Sequence, residues 1–193
     1  MFARRYDAAG TALGAAFKVN PTTSGNQDSP QVAMDTNGAF VVGFVDRGGS
    51  DPVIRVSRYD AAGTFQNNFV VNVDTIGAAD YVSVDMNATG SFIVAWSQYG
   101  SDSSQTGVMY RRFDAAGSAI DAGDVLANTY QALDQLDPSV ALAGDGRFVV
   151  TWTSQDQDGD GSGIYGQQFL ANGAKDGAEF RVNDSTTGGQ YQP

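Results

Sequence analysis

Apolar side chains fall in short runs along this chain, separated by turn chemistry, and the runs recur in order. "PQVAMDTNGAFVVGF" (30–44) returns as "YVSVDMNATGSFIVAW" (81–96) and as "PSVALAGDGRFVVTW" (138–152). A second element, "RRYDAAGTALGAAFKVN" (4–20), returns at 57–72 and 111–128, and more loosely at 167–183. The aromatic anchors Phe44, Trp96 and Trp152 stand 52 and 56 residues apart, so the repeat is a little over fifty residues long. Each repeat holds four strand-like runs; in the last they fall near 139–143, 147–153, 164–170 and 178–183. The pattern predicts an all-β fold: a β-propeller-type array of four-stranded antiparallel blades. A stacked solenoid is the rival, because repetition alone does not fix radial closure.

The period also assigns a place to each run. The second strand is the most apolar ("FVVGF", "FIVAW", "FVVTW") and is expected to be buried on both faces between neighbouring blades. The third alternates ("IRVSRY", "VMYRRF"), as suits a strand nearer the rim with one wetter face. The "DAAG" stretches read as turns, in which Asp bonds its own backbone and Gly takes a positive φ, so Asp7, Asp60 and Asp114 are expected to form turns. The chain is expected to be one repeat domain over 1–193: a partial blade (1–20), repeats at 30–72, 80–128 and 138–183, and a C-terminal linker (184–193). That makes 14 strands, or about three and a half blades. An incomplete blade leaves an unpaired edge. Further repeats of the same protein, or another copy of the chain, are the expected partners that close it.

Composition sharpens this. There are 24 glycines, and 21 aspartates stand against a single glutamate, Glu179. Lysine occurs only at 18 and 175. Turn formers thus outnumber helix formers. A net charge of −11 disfavours a nucleic-acid partner. The lack of cysteine removes disulfides and thiol chemistry, and the lack of histidine removes the commonest general base and transition-metal ligand. No apolar run approaches the roughly 20 residues that span a bilayer, so membrane insertion is not expected. The opening "MFARRYDAAG" lacks the apolar region of a signal peptide, and any export signal is expected outside this chain.

Residues 138–183 carry "P-x-V-A-x-x-x-D-G-x-F-V-V-T-W", a Gln/Asp/Gly loop, "G-I-Y-x-Q-x-F" and "G-x-E-F-R-V-N". This resembles a repeat of very large secreted bacterial proteins, which often also carry RTX-type calcium-binding or cadherin-like modules. The best-matching positions are Pro138, Val140, Asp145, Gly146, Phe148–Trp152, Gly163–Tyr165, Gln168, Phe169 and Glu179–Asn183. Residues 30–72 depart from it with Phe44 in place of the tryptophan, and 80–128 with "DVLAN" in place of "EFRVN". The resemblance implies an extracellular or cell-surface setting, a propeller-like fold and membership of a giant adhesin or surface protein.

The loop "SQDQDGDGSG" (154–163) raises a metal question. Asp156, Asp158 and Asp160 followed by Gly161 match D-x-D-x-D-G, the opening of a calcium loop. Alternate side chains in a glycine-rich turn can converge and give a hard cation oxygen ligands. Position twelve holds Gln167 rather than a glutamate, and the sister loops at 46–52 and 97–107 do not repeat the pattern. The competing reading is a solvated hairpin loop. Ca²⁺ is thus the one cofactor that the sequence raises, with weak affinity expected.

Catalytic constellations are sparse. The carboxylates sit in turns, and no base accompanies the serines. Arg55, Arg58, Arg111 and Arg112 lie on third strands and read as rim charges that solubilise and block edge pairing. Tyr99, Tyr110, Tyr130 and Tyr165 offer aromatic faces for sugars, although packing accounts for most aromatics in such repeats. The expected function is therefore a non-enzymatic extracellular structural or adhesive module, calcium-stabilised if the aspartate loop is a site. A lectin-like propeller that binds cell-surface glycan stands second, and a sialidase-like glycoside hydrolase fragment third.

Overall fold

A computed structural model describes every residue except 22, 23 and 103. β1 (Phe2–Ala3) and β2 (Phe17–Lys18) pair as a two-stranded sheet. Three four-stranded antiparallel meanders follow. The first blade holds β3 (Gln27–Met34), β4 (Phe40–Asp46), β5 (Val53–Tyr59) and β6 (Phe65–Val70). The second holds β7 (Ala79–Met86), β8 (Phe92–Tyr99), β9 (Thr106–Phe113) and β10 (Val125–Leu126). The third holds β11 (Gln135–Leu142), β12 (Phe148–Gln155), β13 (Ser162–Phe169) and β14 (Lys175–Arg181). The first strands converge, β7 lying against both β3 and β11, as radial packing of blades requires.

The second strands are buried as the apolar runs require. Every residue of β4 is buried, and so is all of β8 except Tyr99. In β12, Val149 and Thr151 are half-exposed, because that face of the third blade meets no further blade in this chain. Phe44, Trp96 and Trp152 are fully buried. In each blade an aromatic pair stacks across the second and third strands: Phe40–Tyr59, Phe92–Phe113 and Phe148–Phe169, with ring centroids 4.8, 5.0 and 4.6 Å apart.

The "DAAG" aspartates form their turns. Oδ1 of Asp7, Asp60 and Asp114 accepts the backbone N–H of Thr11, Thr64 and Ser118 at 2.8 Å in each case. The third-strand arginines differ from the rim charges expected of them. The Arg5 guanidinium donates to the carbonyls of Ala61 and Ala62 in the next blade's turn, and Arg58 donates to that of Ala115. Arg112 donates to Ala171 at 2.7 Å and Asn172 at 3.1 Å, and it pairs with Asp121. A Cβ on Gly173 would lie 2.7 Å from Arg112 Nη2, so the glycine keeps the turn open for the clamp. The repeated Arg and the repeated Gly are two halves of one blade-to-blade fastening.

The linkers are fastened as regularly. Oδ1 of Asn72, Asn128 and Asn183 accepts the N–H of Ile54, Val108 and Ile164, at 2.7–2.9 Å. A glutamine then caps the carbonyls of the linker: Gln27 those of Ser24 and Gly25, and the buried Gln135 those of Ala132 and Leu133. Gln190 does the same for Thr187 and Gly188. In the second blade Ala79 holds that position, and Gln98, directly across the strand pair, reaches Asp74 and Ile76 instead.

Candidate functional site

Four innermost-strand positions share an unusual backbone. Ser29, Tyr81, Asp137 and Gln192 have φ of 53°, 52°, 52° and 62°, the left-handed region that L-residues with side chains rarely adopt. The first three sit in β-bulges, where the register shifts between Asp28 and Gln31, Asp80 and Ser83, and Leu136 and Ser139. Each such residue costs on the order of 1–3 kcal/mol and persists only where its surroundings fix it. Because the geometry recurs, the bulge belongs to the blade. What varies is the side chain it presents.

Those side chains line a cleft of about 390 Å³ among the converging first strands. Its walls include Ser29, Gln31, Tyr81, Asp137, Ser139 and Gln192. Tyr81 is 46% exposed, a large aromatic face open to solvent in a polar setting. Arg47, in the loop after β4, spans two blades beside it. It donates to Asp28 Oδ2 at 2.8 Å and to Asp80 Oδ1 at 2.8 Å. Asp80 Oδ1 also accepts the N–H of Tyr81 at 2.9 Å.

The two aspartates differ in setting. Burial and then the charge of Asp80 push the Asp137 carboxyl above its usual value. Asp80 instead receives Arg47. The Tyr81 hydroxyl is pushed up by burial, then by Asp137 and Asp80, with Arg47 opposing. The Arg47 guanidinium is held above its ordinary value by its bonds to Asp28 and Asp80, against burial. A carboxylate held by a cation beside another biased towards its protonated form can supply both charge and a proton.

A larger hollow of about 720 Å³ lies beside the β1–β2 sheet, lined by Phe2, Tyr6, Leu13, Val32 and Met34 among others. It is mainly apolar, and no carboxylate lines it among the described residues, so it offers little to a proton-transfer reaction.

The three loop aspartates part company. Asp156 takes φ 54°, and its Oδ1 accepts the N–H of Gly161 at 3.1 Å. Asp160 Oδ2 accepts the N–H of Gly188 at 3.2 Å. Asp158 turns its carboxylate inward, beside Gly163 and Tyr165. Among the described residues no group of three or more acidic side chains is close enough to hold a metal ion. The cluster at the cleft escaped the sequence reading, because Asp80 and Asp137 lie a whole repeat apart. The signal available was the left-handed position itself, followed by proline at 30, 138 and 193.

No protein-family model and no curated protein matches the chain. Solved structures do. An endo-arabinase from Bacteroides thetaiotaomicron VPI-5482 aligns with TM-score 0.56 and 13% identity, over 90% of this chain and 69% of that one. A Hadza microbial sialidase aligns with TM-score 0.59 and 15% identity, over 83% of this chain and 38% of that one. A thermostable family-43 glycoside hydrolase aligns with TM-score 0.54 and 11% identity, over 80% and 54%. The alignments therefore span between 38% and 69% of these neighbours. The fold is an all-β partial β-propeller.

These neighbours correct two expectations. The chain was expected to be a non-enzymatic structural or adhesive module; the solved structures that share its fold include an endo-arabinase, a sialidase and a family-43 glycoside hydrolase, which overturns that expectation. The physical reason for the error lies in the repeats. Recurrence drew attention to what every blade shares, whereas the cleft is made of what differs between blades.

Proposed function

We propose that this chain is part of a carbohydrate-active propeller of glycoside-hydrolase type, with the glycan seated in the cleft between the first strands. The observation that carries this reading is the pair Asp80 and Asp137 beside the exposed ring of Tyr81, one carboxylate held by Arg47 and the other pushed up by burial. The tyrosine ring gives a sugar an apolar face to lie on. Asp137 is then the proton donor to the leaving oxygen, and Asp80 is the carboxylate that stabilises charge at the sugar ring or activates water. Arg47 holds and orients the Asp80 carboxylate. Similarity to the endo-arabinase, sialidase and family-43 structures supports the substrate class. An extracellular site of action accords with a glycan substrate.

The test is hydrolysis of arabinan, xylan and sialoside panels by the chain and by Asp137→Asn. Cleavage of one substrate class, reduced at least about 10²-fold in the variant while binding is retained, is the expected result. Glycan binding without turnover in the parent chain would reduce the site to a lectin. Binding to none of the panel would overturn the reading.

A further inference from the structure

Two equivalent niches in the second and third blades hold different chemistry. Gly107 and Gly163 stand at matching positions on the third strands, paired with Gln98 and Ser154. A Cβ on Gly107 would lie 2.8 Å from Ser101 Oγ, and one on Gly163 would lie 2.7 Å from Asp158 Oδ2. Ser101 and Asp158 therefore occupy the same place in their blades. The serine is satisfied there: it donates to the carbonyl of Gln98 at 2.7 Å and accepts the N–H of Gly107 at 3.1 Å.

An ionised aspartate cannot donate. Asp158 as a residue is half-buried, but both of its carboxylate oxygens are closed to solvent and accept no hydrogen bond from the described residues. Oε1 of the adjacent Gln157 is likewise closed to solvent without a donor, while its Nε2 donates to Glu179 Oε1 at 2.6 Å. Three acceptor oxygens on two neighbouring residues thus receive no hydrogen bond from the described residues. A buried carboxylate left so is costly unless a cation or donor meets it.

We propose that Asp158 and Gln157 Oε1 bind a calcium-type divalent cation in the loop between β12 and β13, with water completing the shell. The ligands are hard oxygens on a glycine-rich loop, which suits the larger and geometrically tolerant Ca²⁺ better than Mg²⁺. Asp156 and Asp160, which the sequence places in the same motif, serve instead to shape the loop through Gly161 and Gly188. With one carboxylate the affinity falls in the 10⁻⁴–10⁻³ M range, on the order of extracellular modules. The neighbouring Tyr165 gives the site an optical antenna: a Cβ on Gly163 would lie 2.7 Å from Asp158 Oδ2 and 3.2 Å from the Tyr165 ring. The exposed Arg181, opposite Tyr165 on β14, is the rival source of positive charge.

Terbium titration, with tyrosine-sensitised emission as the readout, tests this alongside thermal unfolding in chelator and in calcium at ten times Kd. Emission should rise saturably, calcium should compete it away, and Tm should rise by about 3–6 °C. Asp158→Asn should abolish both responses and should melt higher than the parent chain in chelator, because it removes the unpaired charge. Asp102→Asn, in the sister loop of the second blade, should leave both intact. A parent chain whose emission and Tm ignore the cations would overturn the proposal. So would responses that survive Asp158→Asn, or a calcium-insensitive chain destabilised by Arg181→Gln, which would identify the guanidinium as the partner.

Discussion

At the scale of single residues, Asp137 shows how environment alters chemistry. Its carboxyl is raised first by burial and then by Asp80. For a raised acid, folding is favoured while the group is protonated, and that contribution is lost as pH climbs from the ordinary carboxylate value through the raised one. The parent chain should therefore lose stability over that window, relative to Asp137→Asn, in which the slope is flattened. Urea midpoints measured across the acid range check this. A variant whose pH profile parallels the parent would show that the Asp137 carboxyl is not perturbed. The same residue explains why the site was hard to read. An aspartate followed by proline resembles a turn residue, and nothing local marks Asp80 as its neighbour from the adjacent blade.

Among elements, the β-ladders carry a substitution pattern within one chain. Gln27 faces Asp46, Ala79 faces Gln98, and Gln135 faces Ser154 across the first and second strands. One glutamine per pair suffices, from either strand, because its amide reaches the same linker carbonyls. Where Gln98 supplies it, its Oε1 also accepts the Trp96 indole N–H at 2.8 Å. In the third blade Trp152 Nε1 and Ser154 Oγ are buried without hydrogen-bond partners among the described residues. Gln135→Ala should thus cost about 2–3 kcal/mol by leaving linker carbonyls unmet. Adding Ser154→Gln should recover at least half of this, the double variant copying the second blade. Denaturant unfolding of the four-member cycle measures the coupling. Purely additive losses would contradict the exchange. The strands, the "DAAG" turns and the buried second strand were legible in sequence because each follows from local period and turn chemistry. The clamps of Arg58 and Arg112 were not, since an arginine on an alternating strand looks like a solvated charge until the neighbouring turn is placed beneath it.

Over the whole molecule, the repeats make a frame and the departures from repetition make a site. The linkers and the loops between second and third strands gather at one end of the blades. Gly25 lies against Gly48, Gly77 against Tyr99, and Gly161 against Gly189. The left-handed bulges open at that same end, so the cleft lined by Tyr81 and Asp137 lies at the end where these close contacts gather. The most direct test of the carbohydrate reading is where a glycan binds. Oligosaccharides of the arabinan, xylan and sialoside classes should be titrated calorimetrically into the chain, Tyr81→Ala and the opposite-end variant Asp60→Asn. The account predicts binding by the parent chain and by Asp60→Asn, and at least about tenfold weaker binding by Tyr81→Ala. Undiminished binding by Tyr81→Ala, or loss of binding in Asp60→Asn, would contradict it.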